Sequence, residues 1–239
     1  MSEDLPMAGK DKRRPLPMAG NDKRRPLLIT DCDEVLLHMV SHFRDWVDEA
    51  HDIDFELVGA DFSGALKRRV DGSALSRQDV WPLLDGFFTT EMNRQTLVPG
   101  ARAALDALAT VADVVVLTNL NHNFNEARGH QLLAHGIAHR VVTNQGGKGD
   151  PVAALVAEFA PSVTVFVDDL AHHHASVATA APQVFRLHMI AEPIVAALTP
   201  PAPAAHARID DWLTAQTWIA ARFAGEPLTA DTPAALHSV

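Results

Sequence analysis

Apolar residues are arranged along this chain in two alternating patterns. Short, continuous runs rich in branched apolar residues occur at five places: 27–30, 114–118, 140–143, 163–167 and 184–189. Such runs are typical of strands that are covered on both faces, as in a parallel sheet. Helical patterns lie between them, for example at 101–109 and at 151–159, where Pro151 suits a first helical turn. The alternation predicts an α/β fold with a parallel sheet.

The interval 37–97 departs from this alternation. It contains no run of the buried-strand type, and its apolar residues are spaced as on helices, as at Phe43 and Trp46. A second helical pattern at 81–88 follows SRQD at 76–79, which resembles a capping box. We therefore predict a small helical lobe inserted after the first strand.

The two ends of the chain have simpler patterns. After a proline-rich connector, HARI at 206–209 predicts a short edge strand and 210–223 a last helix, followed by a flexible tail at 225–239. Residues 1–26 contain a tandem repeat, LPMAGKDKRRP and LPMAGNDKRRP. Two short polar copies cannot stack into a repeat fold, so we predict a solvated, disordered tail. It lacks the apolar segment of a signal peptide.

Composition and charge restrict the partners of the chain. The 239 residues are 47% hydrophobic and carry a net charge of −10, and the part that follows residue 26 holds 13 basic and 26 acidic side chains. A body this acidic argues against nucleic-acid binding. No apolar stretch approaches the ~18 residues of a membrane span. The single cysteine, Cys32, cannot form an internal disulfide, so we expect a cytoplasmic protein that binds neither nucleic acid nor membrane.

Polar and charged residues follow the predicted strands at the point where each strand ends. They are Asp31 and Asp33 after the first strand, Thr118 and Asn119 at the second, Lys148 after the third, and Asp168 and Asp169 at the fourth. Open α/β sheets bind ligands at the carboxyl ends of their strands. Carboxylates from two strand ends make a site of hard oxygen ligands, which suits Mg²⁺.

In this order, the strand-end motifs resemble those of the haloacid dehalogenase (HAD) superfamily of phosphohydrolases. The four motifs are DCDEV at 31–35, VVVLTN at 114–119, KGDP at 148–151 and VFVDD at 165–169. The resemblance spans about residues 27–220. It implies a Rossmann-like parallel-sheet core, formed by 27–36 and 98–224, with the lobe at 37–97 acting as a helical cap.

The resemblance also implies catalytic roles. Asp31 would be the nucleophile that forms an aspartyl-phosphate. Asp33 would protonate the leaving group and then activate water. Lys148 would offset the negative charge of the nucleophile and of the phosphate together.

Binding roles follow in the same way. Thr118 and Asn119, with nearby backbone N–H groups, would hold the phosphoryl oxygens. Asp31, the backbone carbonyl of Asp33, Asp168 and Asp169 would bind Mg²⁺. The implied activity is Mg²⁺-dependent hydrolysis of a small phosphomonoester, with a small phosphorylated metabolite as the partner.

Three other functions stay open at this point. A 2-haloacid dehalogenase shares the nucleophile but generally lacks the second aspartate and the metal, and a phosphomutase shares all of these residues. A chain with this fold could also be a non-catalytic binding module. Substrate identity and oligomeric state are open as well.

Two features depart from the family pattern. Glu34 occupies a position where glycine is frequent and adds a negative charge beside the site. Three histidines, 172–174, suggest a zinc site, but consecutive residues on a helix point in different directions. We therefore expect these histidines at the surface or behind the metal ligands.

Cys32 lies between two acids, whose negative field disfavours a thiolate nucleophile.

Overall fold

The computed structural model of the protein describes residues 24–56 and 63–228. Most of the predicted N-terminal tail and residues 229–239 of the predicted C-terminal tail lie outside these ranges. Arg25 and Pro26, which were assigned to the tail, bind the core: Arg25 forms an ion pair with Asp113 at 3.1 Å, and the Pro26 carbonyl accepts from the Asp113 N–H at 2.9 Å. Arg25 and Pro26, which the prediction placed in the tail, therefore pack with the core.

A six-stranded parallel sheet forms the core of the molecule. Its strands are β1 (Leu27–Thr30), β4 (Asp113–Asn119), β5 (Arg140–Asn144), β6 (Thr164–Asp168), β7 (Phe185–His188) and β8 (Ala207–Arg208), in the order β5-β4-β1-β6-β7-β8. The predicted α/β fold with a parallel sheet is confirmed. The chain runs outwards from β1 through β4 to β5 and then returns to β6 on the other side of β1. This reversal opens a crevice at the carboxyl ends of β1, β4 and β6.

Helices cover both faces of the sheet. The helices of this part are α3 (Ala101–Ala109), α4 (Asn125–Ala134), α5 (Gly149–Phe159), α6 (Ala171–Ala180), α7 (Pro193–Leu198) and α8 (Trp212–Phe223). Alternate residues of β1 point to opposite faces. Leu28 packs in one cluster with α3 and α8, and Ile29 packs in another with α5 and α6. Burial on both faces explains why the strands are continuously apolar.

An inserted lobe lies between β1 and β4. It contains α1 (Val40–His51), β2 (Ile53–Phe55), β3 (Leu66–Arg68) and α2 (Arg77–Thr90), with 3₁₀ turns at Ser63–Ala65 and Met92–Arg94. A third such turn, at His122–Phe124, precedes α4. The lobe has its own hydrophobic cluster, which includes Phe43, Trp46 and Phe87. The Ser76 capping box is present at the start of α2.

The antiparallel pair β2-β3 was not predicted from the sequence. Each strand has only three residues, which is too short to show a periodic pattern.

Two connectors join the lobe to the core side by side, since Leu37 pairs with Leu97 and the Val98 N–H donates to the Leu36 carbonyl at 2.8 Å. Among the helices of the described ranges, none is long and apolar enough to cross a bilayer.

Candidate active site

The sheet brings most of the predicted site residues to one edge. Asp31 follows β1, Thr118 and Asn119 end β4, and Asp168 ends β6. Because β1 lies between β4 and β6, these strand ends are neighbours. The Asp31 N–H donates to the Val167 carbonyl at 2.8 Å, which continues the β1-β6 pairing by one residue.

Lys148 lies at the centre of this edge. The residue precedes α5, and its side chain is fully buried. Its ammonium lies 2.8 Å from Asp31 Oδ1 and 2.7 Å from Asp168 Oδ2. Burial alone would lower the pKa of Lys148, but attraction to Asp168 and Asp31 outweighs it and raises the pKa above the usual range. Lys148 is therefore a permanent positive charge that holds the ends of β1 and β6 together.

Three carboxylates form a cluster beside this lysine. Oxygen atoms of Asp31, Asp168 and Asp169 all lie within 4.8 Å of one another. Burial, with the nearby charge of Asp168, raises the pKa of Asp31 to about 7 despite Lys148. Burial also raises the pKa of Asp169, to which Asp168 and Asp31 add. For Asp168, burial opposes ionisation but the attraction of Lys148 lowers the pKa. Burial thus keeps Asp31 and Asp169 from ionising as readily as exposed carboxyls, and with all three ionised the cluster would carry more negative charge than one lysine compensates.

Asp33 lies in a separate network. Arg128 Nη2 donates to both carboxylate oxygens of Asp33 at 3.0 Å, and Gln95 Nε2 donates to Oδ1 at 2.7 Å. Arg128 Nη1 also contacts Gln95 Oε1 and Cys32 Sγ, each at 3.2 Å. The Arg128 side chain is fully buried, whereas that of Asp33 is 16% exposed. The Asp33 carboxylate is therefore held by Arg128 and Gln95, whereas Lys148 pairs with Asp31 and Asp168.

Sequence reasoning missed Arg128 and Gln95. A helical arginine is ordinarily a solvated residue, and nothing in the pattern of α4 marks this one as buried. Only the structure shows that Arg128, Gln131 and Leu132, which share one helical face, are buried together. Burial, more than the two neighbouring acids on which the prediction rested, raises the pKa of the Cys32 thiol far above the usual range. A thiolate at this position is strongly disfavoured.

Glu34 has an unusual backbone conformation and a buried side chain. Its φ is +60°, in the left-handed region that glycine adopts freely. Its carboxylate Oε1 accepts from the N–H groups of Met39 and Val40 at 2.7 and 2.6 Å, at the start of α1. Burial raises the pKa of Glu34 to about 7 despite these bonds. The carboxyl thus accepts hydrogen bonds from backbone N–H groups at the start of the lobe's first helix and does not project freely into solvent.

Thr118 and Asn119 lie beside the cluster. Thr118 is buried at the end of β4. The Asn119 amide donates to the Gly146 carbonyl at 2.7 Å, and its oxygen accepts from Asn144 at 2.8 Å. These bonds anchor the loop that follows β5 and leads to Lys148.

The three histidines diverge, as predicted. His172 is exposed, whereas His173 and His174 are buried. His174 Nε2 lies 3.0 Å from the Asp168 carbonyl, and His173 Nε2 lies 3.2 Å from the Asn119 amide nitrogen. Burial lowers the pKa of His173 to about 4, so the ring is neutral and its Nε2 accepts from Asn119. The histidines therefore support the strand ends and do not form one metal site.

A cavity of about 1270 Å³ opens above the cluster, between the sheet edge and α2 of the lobe. Asp31, Asp33, Thr118, Asn119 and Asp169 line it. Lys148 and Asp168 are fully buried behind this surface. A ligand in the cavity would thus meet Asp31 and Asp169 directly.

Comparisons with known proteins identify the fold. No family model and no curated protein matches the sequence. Solved structures do match. A haloacid dehalogenase-like family hydrolase from Xanthomonas campestris is 14% identical and aligns over 84% of this chain and 97% of that one, with a TM-score of 0.53. A HAD-superfamily hydrolase of subfamily IA from Geobacter sulfurreducens is 16% identical over 81% and 99%, with a TM-score of 0.51.

A third structure contains a metal. It is a protein from Bacillus subtilis, described as a HAD hydrolase and bound to magnesium, which is 12% identical over 82% of this chain and 99% of that one, with a TM-score of 0.56. The chain therefore has the fold of the HAD-like hydrolases, as the motif resemblance implied.

Proposed function

We propose that this chain, which has the fold of the HAD-like hydrolases, is a Mg²⁺-dependent phosphatase that hydrolyses a small phosphomonoester through an aspartyl-phosphate on Asp31. One observation carries the proposal: Asp31, Asp168 and Asp169 converge beside Lys148 at the floor of a cavity. A buried lysine between two buried carboxylates is costly to build for stability alone. Perturbed carboxylates in a cavity are typical of functional sites.

The carboxylate cluster fits a divalent cation. Its donors are hard oxygens, and once all three carboxyls are ionised, Lys148 alone does not compensate their negative charge. Asp31, Asp168 and Asp169 would hold Mg²⁺, and the backbone carbonyl of Asp33 is a fourth candidate ligand. When bound, the cation reduces the repulsion between the carboxylates and a phosphate dianion.

Asp31 is suited to attack phosphorus. Its Oδ1 accepts from Lys148 and from the Cys32 N–H at 2.7 Å, and these contacts fix the direction of the carboxylate at the cavity wall. Attack would form the Asp31 oxygen–phosphorus bond as the bond to the leaving alcohol breaks. Lys148 would lower the cost of the charge that accumulates, because it already lies in the buried site and needs no rearrangement.

Asp33 is the candidate for both proton transfers. In the second step it would take a proton from the water that attacks the aspartyl-phosphate, and an ionised carboxylate held by Arg128 and Gln95 suits this role. In the first step, which Asp33 must enter in its protonated form, it would donate this proton to the leaving oxygen and become the carboxylate. The proton taken from water in the second step then restores the protonated form. For the first step the carboxyl must rotate out of at least one of these bonds. Thr118 and Asn119, which line the same cavity, would bind the phosphoryl oxygens.

The test is phosphate release from a panel of alkyl and aryl phosphomonoesters by the purified protein, with Mg²⁺ and with a chelator. We expect turnover that requires Mg²⁺ and that Asp31→Asn abolishes while circular dichroism shows a folded protein. Chelator-resistant release of halide from a 2-haloacid would identify a dehalogenase instead. Transfer of the phosphoryl group to a second hydroxyl of the substrate would identify a phosphomutase. Failure to turn over any compound would favour a binding module.

A further inference from the structure

One face of α2 forms the roof of the cavity above the carboxylate cluster. Gln78, Trp81, Asp85 and Phe88 recur at helical spacing, and all of them line the cavity. Trp81 is 69% exposed although it is the largest kind of side chain on this face. A helix that turns a bare tryptophan towards a cavity, instead of into the lobe's own cluster, has an apolar surface available for a ligand.

The sheet side of the cavity continues this apolar surface. Phe124 packs near Phe88 with ring centroids 6.3 Å apart, so the lobe and the core meet in an aromatic contact at the cavity wall. Leu170 lines the cavity and is 42% exposed, and Val195 of α7 lines it as well. Large apolar groups therefore surround the space above Asp31 from both the lobe and the core.

Positive charge is missing from the same walls. Within the part of the chain that the structure describes, no lysine or arginine lines the cavity. Lys148 and Arg128 lie close by, but both are fully buried and bonded to carboxylates. Asp85 adds an exposed acid to the roof.

A second anionic group on a substrate would therefore lose its hydration without meeting a cation. Desolvation of an unpaired charge is costly, and the acids at the floor and the roof would add repulsion. The imidazoles of His172 and His173 line the cavity too, but they offer hydrogen bonds rather than a permanent charge.

From these observations we infer that the substrate is a phosphomonoester of an uncharged, largely apolar alcohol, of the size of an aromatic ring or larger, with no second anionic group. The inference rests on the proposed phosphatase function and specifies its substrate class. The phosphate would sit at the carboxylate cluster, and the alcohol would pack against Trp81 and its apolar neighbours. A cavity of about 1270 Å³ has room for such a group.

Three alkyl phosphates test the inference: ethyl phosphate, 2-phenylethyl phosphate and 2-(4-carboxyphenyl)ethyl phosphate. All are esters of primary alcohols of similar basicity, so their intrinsic reactivities are close and differences in kcat/KM report binding of the alcohol. We expect kcat/KM for 2-phenylethyl phosphate to exceed kcat/KM for ethyl phosphate by roughly 10- to 100-fold, because the ring is buried against apolar side chains. The added carboxylate should reduce kcat/KM by about tenfold or more.

Variants on the roof assign these preferences to the cavity. Trp81→Ala should reduce the ratio of kcat/KM for 2-phenylethyl phosphate to kcat/KM for ethyl phosphate by about tenfold. Asp85→Lys should raise kcat/KM for the carboxylated substrate relative to 2-phenylethyl phosphate, also by about tenfold. Both side chains are exposed on α2, so the fold tolerates the changes, and each ratio is measured within one sample. Leu213→Ala, at a residue that is 79% exposed on α8 and outside the cavity lining, is the matched control and should leave both ratios unchanged.

The possible results are distinct. The substrate class is overturned, while the phosphatase function stands, if kcat/KM is nearly equal for 2-phenylethyl and ethyl phosphate. It is overturned as well if the wild type prefers the carboxylated ester. Ratios that Trp81→Ala leaves intact also overturn it. Absence of turnover of all three esters overturns the substrate class if other phosphomonoesters of the panel are hydrolysed with Mg²⁺. If no phosphomonoester of the panel is hydrolysed, the proposed function fails, and the substrate class with it.

Discussion

Arg128 donates from one guanidinium nitrogen to both carboxylate oxygens of Asp33, at 3.0 Å each. The contact joins α4 to the loop after β1. Gln95, in the connector between the lobe and the core, bonds both partners. The ring of Phe88, on α2 of the lobe, lies 5.4 Å from the guanidinium carbon. The candidate acid–base residue is thus held by side chains from the core and the connector, and the arginine that holds it also contacts the lobe.

A double-mutant cycle would measure this contact. Arg128→Met leaves Asp33 without its cation in a largely buried place, and we expect it to lower the free energy of unfolding by roughly 3 kcal/mol. In that background, Asp33→Asn should cost little or restore stability, since it removes the unpaired charge. The expected coupling energy is about 1–3 kcal/mol by urea denaturation. Additive effects of the two changes would show that the pair is not coupled.

The role of Asp33 in proton transfer predicts a dependence on the leaving group. Asp33→Asn keeps the backbone carbonyl and nearly the same volume but removes a transfer that typically contributes ~10²–10⁴-fold. The fall in single-turnover rate should be steep for an alkyl phosphate and smaller for an aryl phosphate, whose leaving group needs little protonation. Mg²⁺ affinity should change little. Equal falls for both esters would argue against Asp33 as the general acid.

Metal binding should be coupled to proton release. Because the pKa of Asp31 is raised to about 7 in the metal-free protein, a cation must displace a proton below that pH. Apparent Mg²⁺ affinity should therefore rise as the pH increases through about 7. Calorimetry in buffers of different ionisation enthalpy would count the protons released.

Mg²⁺ binding should also raise the free energy of unfolding. Mg²⁺ at about 100 times its Kd should add about 2.7 kcal/mol to the free energy of unfolding, if only the folded chain binds it. Asp169→Asn should weaken this stabilisation. Asp150→Asn, at an exposed acid of α5 outside the cluster, is the control and should not. An unchanged response of Asp169→Asn would remove Asp169 from the ligand set.

Glu34 predicts a pH-dependent difference in stability. Its pKa in the folded chain is about 7, above the ordinary 4.5, so the folded state binds the proton more tightly than the unfolded state. The resulting stability is present below about pH 4.5 and is lost as the pH rises through 7. Glu34→Gln is neutral throughout, so its free energy of unfolding relative to the wild type should rise between pH 5 and pH 8 by roughly 3 kcal/mol at most, and its Tm relative to the wild type should rise with it.

Thermal unfolding of both proteins in chelator measures this difference. Glu126→Gln, at an exposed position on α4, is the control and should show a constant offset. A constant Tm difference for Glu34→Gln across this range would show that the Glu34 carboxyl titrates normally.

The sequence alone determined the sheet and most of the residues at its carboxyl edge. Strands that are covered on both faces must be apolar throughout, so each is visible as a run, and parallel strands end at the same edge. The polar residues that follow those runs, such as Asp31, Thr118 and Asp168, could therefore be placed together without coordinates. The interval 37–97 stood out in the sequence because its pattern changed to a helical one.

Tertiary structure alone decided the partners of these residues. Arg128 and Gln95 are far from Asp33 in sequence, and an arginine on a helix shows its burial only when the neighbouring elements are in place. The left-handed φ of Glu34 and the apolar roof over the cavity are decided in the same way. Strand positions follow from local periodicity, whereas the pairing of buried charges and the lining of a cavity depend on which surfaces meet in three dimensions.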